Sequence, residues 1–316
     1  MGINIFPKRV RNFRQAILLI VFGASIGYLF GLVFLYDSEN DSLDHIRVID
    51  HGSHNGNIED INLRCVIIMH KSSVHPEKIV SAFHDGYTKL CNETIYYSSD
   101  EIFVKKMEKN HTIRYLREEK SSHFFWDFYQ KVIEDASKPA AQWTFIGDDQ
   151  TYLVVPNLKS VLATIPQNQA MLLGKVASMQ NGLSWVFPFS SYRKIEVRAG
   201  VVFSGHAMEK LVQCKGSFFP RATEFSLFDC SSSFGVRIID PFDEDSNRLF
   251  NSISPKIGLT PTNNMMQKVN SFSDHAITFG QLSEKDMRVL EFGMRVKIFG
   301  RGAVEFEEAS NSTDLN

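Results

Sequence analysis

The pattern of apolar and polar positions divides the chain sharply near its start. AILLIVFGASIGYLFGLVFLY, from Ala16 to Tyr36, is a run of 21 uncharged residues. At about 1.5 Å per helical residue it reaches roughly 31 Å, the thickness of one hydrocarbon core. Lys8, Arg9, Arg11 and Arg14 precede the run, and Asp37, Glu39 and Asp41 follow it. That asymmetry predicts a cytoplasmic tail over 1–15, an uncleaved signal-anchor over 16–36, and a lumenal remainder in a single-pass type II arrangement. A cleaved signal peptide shares the basic-then-apolar order, but this run is long for one and no small-x-small site closes it. Residues 37–62 are polar without sustained periodicity and read as a lumenal stem, with His51 and His54 as solvated linker residues.

Beyond the stem the pattern becomes that of a folded domain. CVIIMH (Cys65 to His70) is an apolar run of strand length, and TIYYSS and TIRYL are two more strand candidates. SHFFWDFYQKVIEDA places Phe124, Phe125, Phe128, Tyr129, Val132 and Ile133 on one helical face, with Pro139 just past its end. QWTFIG reads as a strand and runs into the acidic turn Asp148-Asp149-Gln150. A helix follows, with Pro156 in its first turn and Leu158, Val161, Leu162 and Ile165 as its stripe. AMLLGKV and VRAGVVFS read as later strands, and SEKDMRVLEFG opens with Ser283 and Asp286 in a capping-box-like arrangement. Strands alternating with helices predict an α/β domain over 63–303, a mixed, mostly parallel sheet with flanking helices, and an acidic tail over 304–316. Ligands of such sheets bind beyond the carboxyl ends of the strands, where Asp148 and Asp149 fall.

Composition changes this picture in three places. Net charge is −2, which argues against a nucleic-acid partner, yet the four basic residues of the tail leave 30 of the 34 to face 36 acids. Cys65, Cys91, Cys214 and Cys230 all lie on the lumenal side. An even count in an oxidising compartment suggests two disulfides out of three possible pairings, and the lack of a C-x-x-C pair disfavours zinc. Sequons occur at Asn40, Asn92, Asn110 and Asn311, of which Asn92 and Asn110 are the better placed for glycosylation. Gly23, Gly27 and Gly31 recur every fourth residue within the apolar run; homodimer packing in the membrane and simple tolerance of glycine both fit. The 26 phenylalanines are core or, in part, an exposed patch for a client protein. No Walker loop, G-x-G-x-x-G, G-x-S-x-G or H-E-x-x-H motif is present, which disfavours kinases, dehydrogenases, serine hydrolases and zincins.

The order RCVIIM, YTKLCNETIYYSS, FFWDFYQKV, WTFIGDDQTYLVVPNLK resembles the fringe-type β1,3-glycosyltransferases, and among them the core 1 β1,3-galactosyltransferase group. The resemblance runs from about Leu63 to Phe299 and rests on collinearity, no single motif being decisive. SDHAITFGQLSEKDMRVLEFGMRVKIFG is similar to the stretch that closes both that enzyme and its dedicated molecular chaperone, itself a relative of the enzyme. RLFNSISPKIGLTP looks more like the chaperone, and the His-Pro-Phe motif usual in the enzymes is missing.

The resemblance implies a nucleotide-sugar-transferase fold of the GT-A type, whose D-x-D motif holds Mn²⁺ or Mg²⁺ against the nucleotide diphosphate. The motif's first two positions are Asp148 and Asp149, and its third is the uncharged Gln150. Loss of effective metal binding is the expectation; turn formation and capping of the next helix is the bland role for the two acids. Counting back from Cys230 puts Glu224 at the general base, where relatives carry Asp, with Thr223 and Phe228 replacing an acid and a glycine. Glu224 is then either a displaced base or an ordinary surface or helix-cap acid. The resemblance also implies the pairings Cys65–Cys91 and Cys214–Cys230, and Ser271-Phe272 stands where relatives have a third pair's cysteines. The functional expectation is a protein with no catalytic residues and no cofactor, an endoplasmic-reticulum membrane chaperone with the core 1 galactosyltransferase as client. The alternatives are an active Golgi β1,3-galactosyltransferase using UDP-galactose and Mn²⁺ on GalNAc, and a nucleotide-sugar-binding regulator without catalysis.

Overall fold

The computed structural model describes residues 21–25, 43–44, 61–70, 73, 75–117, 126–166, 168–179, 192–214, 222–258 and 272–294. Contacts divide the chain into two units, Met1–Leu43 with Gln180–Ser191, and Asp44–Met179 with Tyr192–Asn316. In the first, residues 21–25 are helical and the Ser25 hydroxyl donates to the Val21 carbonyl at 2.8 Å. Gly23 lies in this stretch with open space around it, while Gly27, Gly31 and the rest of the Ala16–Tyr36 run lie outside the described residues. Among the described residues no helix is long and apolar enough to cross a membrane.

The second unit is an α/β domain. Its strands are β1 (Leu63–Met69), β2 (Glu93–Ser98), β3 (Ile113–Tyr115), β4 (Trp143–Asp148), β5 (Tyr152–Leu153), β6 (Met171–Gly174), β7 (Val176–Met179), β8 (Tyr192–Ile195), β9 (Val201–Ser204), β10 (Arg237–Ile239), β11 (Phe250–Asn251) and β12 (Thr278–Phe279). Its helices are α1 (Pro76–Asp85), α2 (Glu101–Met107), α3 (Trp126–Ala136), α4 (Val155–Ala163), α5 (Gly205–Leu211) and α6 (Thr223–Ser233), and residues 284–294 form one more. The main sheet has eight strands, of which seven run in the order β10-β6-β9-β4-β1-β2-β3. β1 pairs in parallel with β2 and β4, β2 with β3, and β6 with β10. Only β9 runs antiparallel to its neighbours in this series, between β4 and β6.

Every residue of β1 is buried, which is why it reads as a continuous apolar run and not as an alternation: helices cover both faces of such a strand. α3 buries Phe128, Tyr129, Val132 and Ile133, the face its 3.6-residue period predicts; Phe124 and Phe125 lie outside the described residues. α4 carries Pro156 in its first turn and buries Leu158, Val161 and Leu162, with Ile165 buried just beyond it. The strand expected over VRAGVVFS is shorter than its apolar content suggests. Val197–Ala199 form a 3-10 turn and Gly200 takes φ 75°, so β9 starts at Val201. A side chain at Gly200 would also strike the Phe145 ring.

The one charged side chain buried within β1 is Arg64. It donates through Nε to Glu93 Oε2 at 2.7 Å and through Nη1 to the carbonyls of Ala136 at 2.5 Å and Pro139 at 2.7 Å. It therefore pins the exit of α3 to the central strand. One residue earlier in the same helix, Asp135 accepts from the Tyr97 hydroxyl at 2.7 Å and from Arg114 Nη1 at 2.6 Å, tying α3 to β2 and β3. Burial alone would raise the Asp135 carboxyl, but Arg114 and Tyr97 outweigh it and hold it below its ordinary value of 3.8. A depressed folded-state value adds stability above the ordinary value, and that stability is lost as pH falls through the folded one. Asp135→Asn is expected to flatten the stability profile below about pH 4 and to leave its shape near neutrality unchanged, as urea midpoints across that range would record.

Both disulfide pairings that the resemblance implies are present. Cys65 in β1 joins Cys91 just ahead of β2, and Cys214 joins Cys230 in α6, with Cα–Cα distances of 6.0 and 6.1 Å. Of the two favoured sequons, Asn110 is exposed after α2, and Asn92 is exposed but engaged: its Oδ1 accepts the buried Leu63 N–H at 2.9 Å. Asn92→Gln should therefore cost about 1–3 kcal/mol whether or not a sugar is attached, by leaving that donor unsatisfied. Thr94→Ala, which deletes the sequon and keeps the asparagine, should cost less. Thermal melts of the two variants separate glycan loss from hydrogen-bond loss.

Candidate functional site

Parallel strands with neighbouring ends bring their following residues together. Ile68 of β1 is in register with Asp148 of β4, so the residues just past β1 face the acidic turn. His70 is the side chain placed there. Its Nδ1 lies 3.4 Å from Asp149 Oδ1 and its Nε2 lies 3.9 Å from Asp148 Oδ2, so one imidazole spans both carboxylates.

Each acid has internal partners. Asp148 Oδ1 accepts from the Gln150 N–H at 3.0 Å and from the Thr151 hydroxyl at 2.6 Å, and the Thr151 N–H donates to the Asp148 carbonyl at 3.1 Å. That is an aspartate folding its own turn. Asp149 is 2% exposed, and its Oδ2 accepts from the His70 N–H at 3.1 Å and from the Ser73 hydroxyl. Its Oδ1 is buried beside His70 without a hydrogen bond of good geometry. Burial pushes the Asp148 carboxyl above its ordinary value; the Thr151 hydroxyl and His70 pull it back, and the like charge of Asp149 adds to the rise. Turn formation is thus realised by the Asp148 side chain, while that of Asp149 holds the residues after β1; helix capping is realised by neither, since α4 begins after Val154 and no side chain caps it.

Gln150 is exposed, and its backbone carbonyl accepts the Leu282 N–H at 3.0 Å. The helix over 284–294 thereby leans on the turn from one end. From the other, the Tyr152 hydroxyl donates to Glu291 at 2.5 Å. That helix opens on the expected capping box: the Asp286 N–H donates to Ser283 Oγ and the Ser283 N–H to Asp286 Oδ2, both at 3.2 Å. Between turn and helix lies an open cleft of about 490 Å³, bordered by His70, Ser73, His75, Asp149, Gln150 and Lys285.

A divalent cation of the Mn²⁺ or Mg²⁺ class needs several oxygens free to turn toward it. The residues present meet that need only in part. Asp148 Oδ1 and Asp149 Oδ2 are held by backbone and hydroxyl donors, which leaves one oxygen of each carboxylate, both beside His70, and the exposed third position offers a neutral carboxamide. Among the described residues no group of three or more His, Cys, Asp and Glu side chains is placed to hold a metal ion.

Glu224 sits in the first turn of α6, one residue inside a helix whose N-cap is Ala222, so it is not the cap. Its Oε2 pairs with Lys194 of β8 at 2.7 Å, and both side chains are about four-fifths buried, at 23% and 20% exposure. Glu224 is not among the residues that border the cleft beside Asp149 and Gln150. The structure thus brings Asp148, Asp149 and Gln150 together, adds His70, and gives Glu224 a cationic partner.

No family model matches the chain. Among solved structures it is similar to 4-diphosphocytidyl-2C-methyl-D-erythritol synthase from Anaerococcus prevotii, at 14% identity and a TM-score of 0.37 over 60% of this chain and 91% of that one. It is also similar to a nucleotide-diphospho-sugar transferase from Desulfovibrio desulfuricans, at 9% identity and a TM-score of 0.35 over 57% and 80% of the two chains. S. aureus TarS 1–349 gives 10% identity and a TM-score of 0.33 over 57% and 58%. Nucleotide-sugar transferases thus occur among its structural neighbours, at a likeness too distant to speak for chemistry.

Proposed function

We propose that this protein is a catalytically inactive GT-A-like relative of the core 1 β1,3-galactosyltransferase, anchored in the endoplasmic-reticulum membrane by residues 16–36. On this reading it assists the folding of that enzyme and needs no metal or nucleotide cofactor. The observation that carries it is the acidic turn. One oxygen of each of its carboxylates is used to build the surrounding loops, through Gln150 N–H, Thr151, His70 N–H and Ser73, and the third position brings no charge. A departing diphosphate would leave without the charge neutralisation that such transfer requires. The candidate base is likewise engaged, Glu224 with Lys194. A general base must be able to reach and accept its proton, and an ion-paired carboxylate away from the cleft is poorly set to do so.

The second reading, an active galactosyltransferase, is favoured by one feature: the two acids stand at the carboxyl end of β4 beside an open cleft. On that reading Asp148 and Asp149 hold Mn²⁺ and Glu224 is the base. One experiment separates the two. The purified protein is incubated with UDP-galactose, Mn²⁺ and a GalNAc-peptide, and no product is expected. Turnover lost in Asp148→Ala would establish the enzyme and end the inactive reading. Heat-inactivated core 1 galactosyltransferase is then refolded with and without the protein; more recovered activity is expected in its presence, and equal recovery would remove the chaperone role.

A further inference from the structure

Outside this site, the fold brings two histidines ring to ring. His84 lies in the last turn of α1 and is exposed; His111 stands two residues ahead of β3 and is half-buried. Their ring centroids are 5.4 Å apart with planes at 75°, and the Tyr96 ring packs on His111 at 6.0 Å. Among the described residues neither imidazole is engaged in a hydrogen bond or an ion pair.

Two imidazoles at a wet surface gain little from facing each other, and they repel once both are protonated. Each is, however, a good ligand for borderline divalent ions such as Zn²⁺, Ni²⁺ and Cu²⁺. With metal–nitrogen bonds of about 2.0–2.1 Å and near-tetrahedral angles, two imidazoles on one ion hold their centroids roughly 5 Å apart. The two rings already stand at nearly that spacing, so rotating them to turn a nitrogen of each toward the ion is the main adjustment left. We propose that His84 and His111 form a two-histidine site for a divalent transition-metal ion, with water completing its coordination. Among the described residues no third His, Cys, Asp or Glu joins them, so the affinity is modest. A bound ion ties the end of α1 to the edge of the sheet, and binding to the folded chain alone raises its melting temperature with ion concentration.

The test titrates Ni²⁺ into the full-length protein, free of affinity histidines, by calorimetry. His84→Ala, His111→Ala and the double variant are run beside it. Because His70, His75 and others offer sites of their own, the readout is the difference. Either single variant should lose one Ni²⁺ equivalent per chain, or bind it at least tenfold more weakly, and the double should lose nothing further. Electron paramagnetic resonance with Cu²⁺ should count two nitrogens at the wild-type site and fewer in the variants. Wild-type stoichiometry and affinity in both single variants overturn the proposal. So does a loss confined to one of them, which marks a lone histidine. Should an alanine variant fail to fold, asparagine at the same position gives the same comparison.

Discussion

Asp149→Ala is expected to lower the free energy of unfolding by about 2–4 kcal/mol, since each of two donors left without an acceptor costs about 1–3 kcal/mol. The carboxylate is 2% exposed and accepts from the His70 N–H and the Ser73 hydroxyl, with the His70 imidazole beside its other oxygen. Truncation leaves the His70 N–H and the Ser73 hydroxyl without an acceptor just past the end of β1. Asp148→Ala should cost less, since Asp148 is more exposed and Oδ1 serves mainly its own turn. Guanidinium denaturation of the two variants measures the difference. In a transferase that spends this acid on a cation, the same substitution would remove turnover and leave the denaturation midpoint close to wild type. An unshifted midpoint for Asp149→Ala would therefore free its carboxylate for a ligand and count against the inactive reading.

The second large effect is expected at Arg64→Met, which keeps most of the side-chain volume and removes the guanidinium. The buried Ala136 carbonyl loses its donor at a cost of about 1–3 kcal/mol, and the carbonyl of the exposed Pro139 loses one that water can replace. Glu93, at 41% exposure, is rehydrated when its partner goes and adds little. A loss of about 1–3 kcal/mol follows for Arg64→Met, against less than about 1 kcal/mol for Glu93→Gln. Urea midpoints decide the matter. Equal losses for the two variants would show that the ion pair matters and the carbonyl contacts do not.

What was legible in the sequence follows from which signals are local. β1 and β4 are runs of buried residues, and α3 and α4 carry one-sided stripes, so their existence needed no partner to be named. The sheet of β5, β11 and β12 escaped notice because each strand has two residues, too short for any period. The antiparallel setting of β9 is equally silent, since direction is a property of the pair and not of VVFS itself. At the site, the two acids and the missing third charge are in the letters. His70 is not: it reads as one polar residue after an apolar run. Its meaning appears once β1 and β4 are paired in parallel, when the first side chain beyond β1 must meet the tip of β4. Pairing the two runs as neighbouring parallel strands would have raised His70 as a candidate. The Lys194–Glu224 contact spans 30 residues, and no spacing rule points to it.

The place of β9 has a consequence for how the protein is made. Synthesis delivers β1 first, and β2, β3 and β4 can then settle on either side of it as they emerge. Met171–Gly174 is translated next, yet its seat beside β4 is taken by Val201–Ser204, which leaves the ribosome about thirty residues later. Until then the nascent sheet stops at β4, with that strand's outer edge bare.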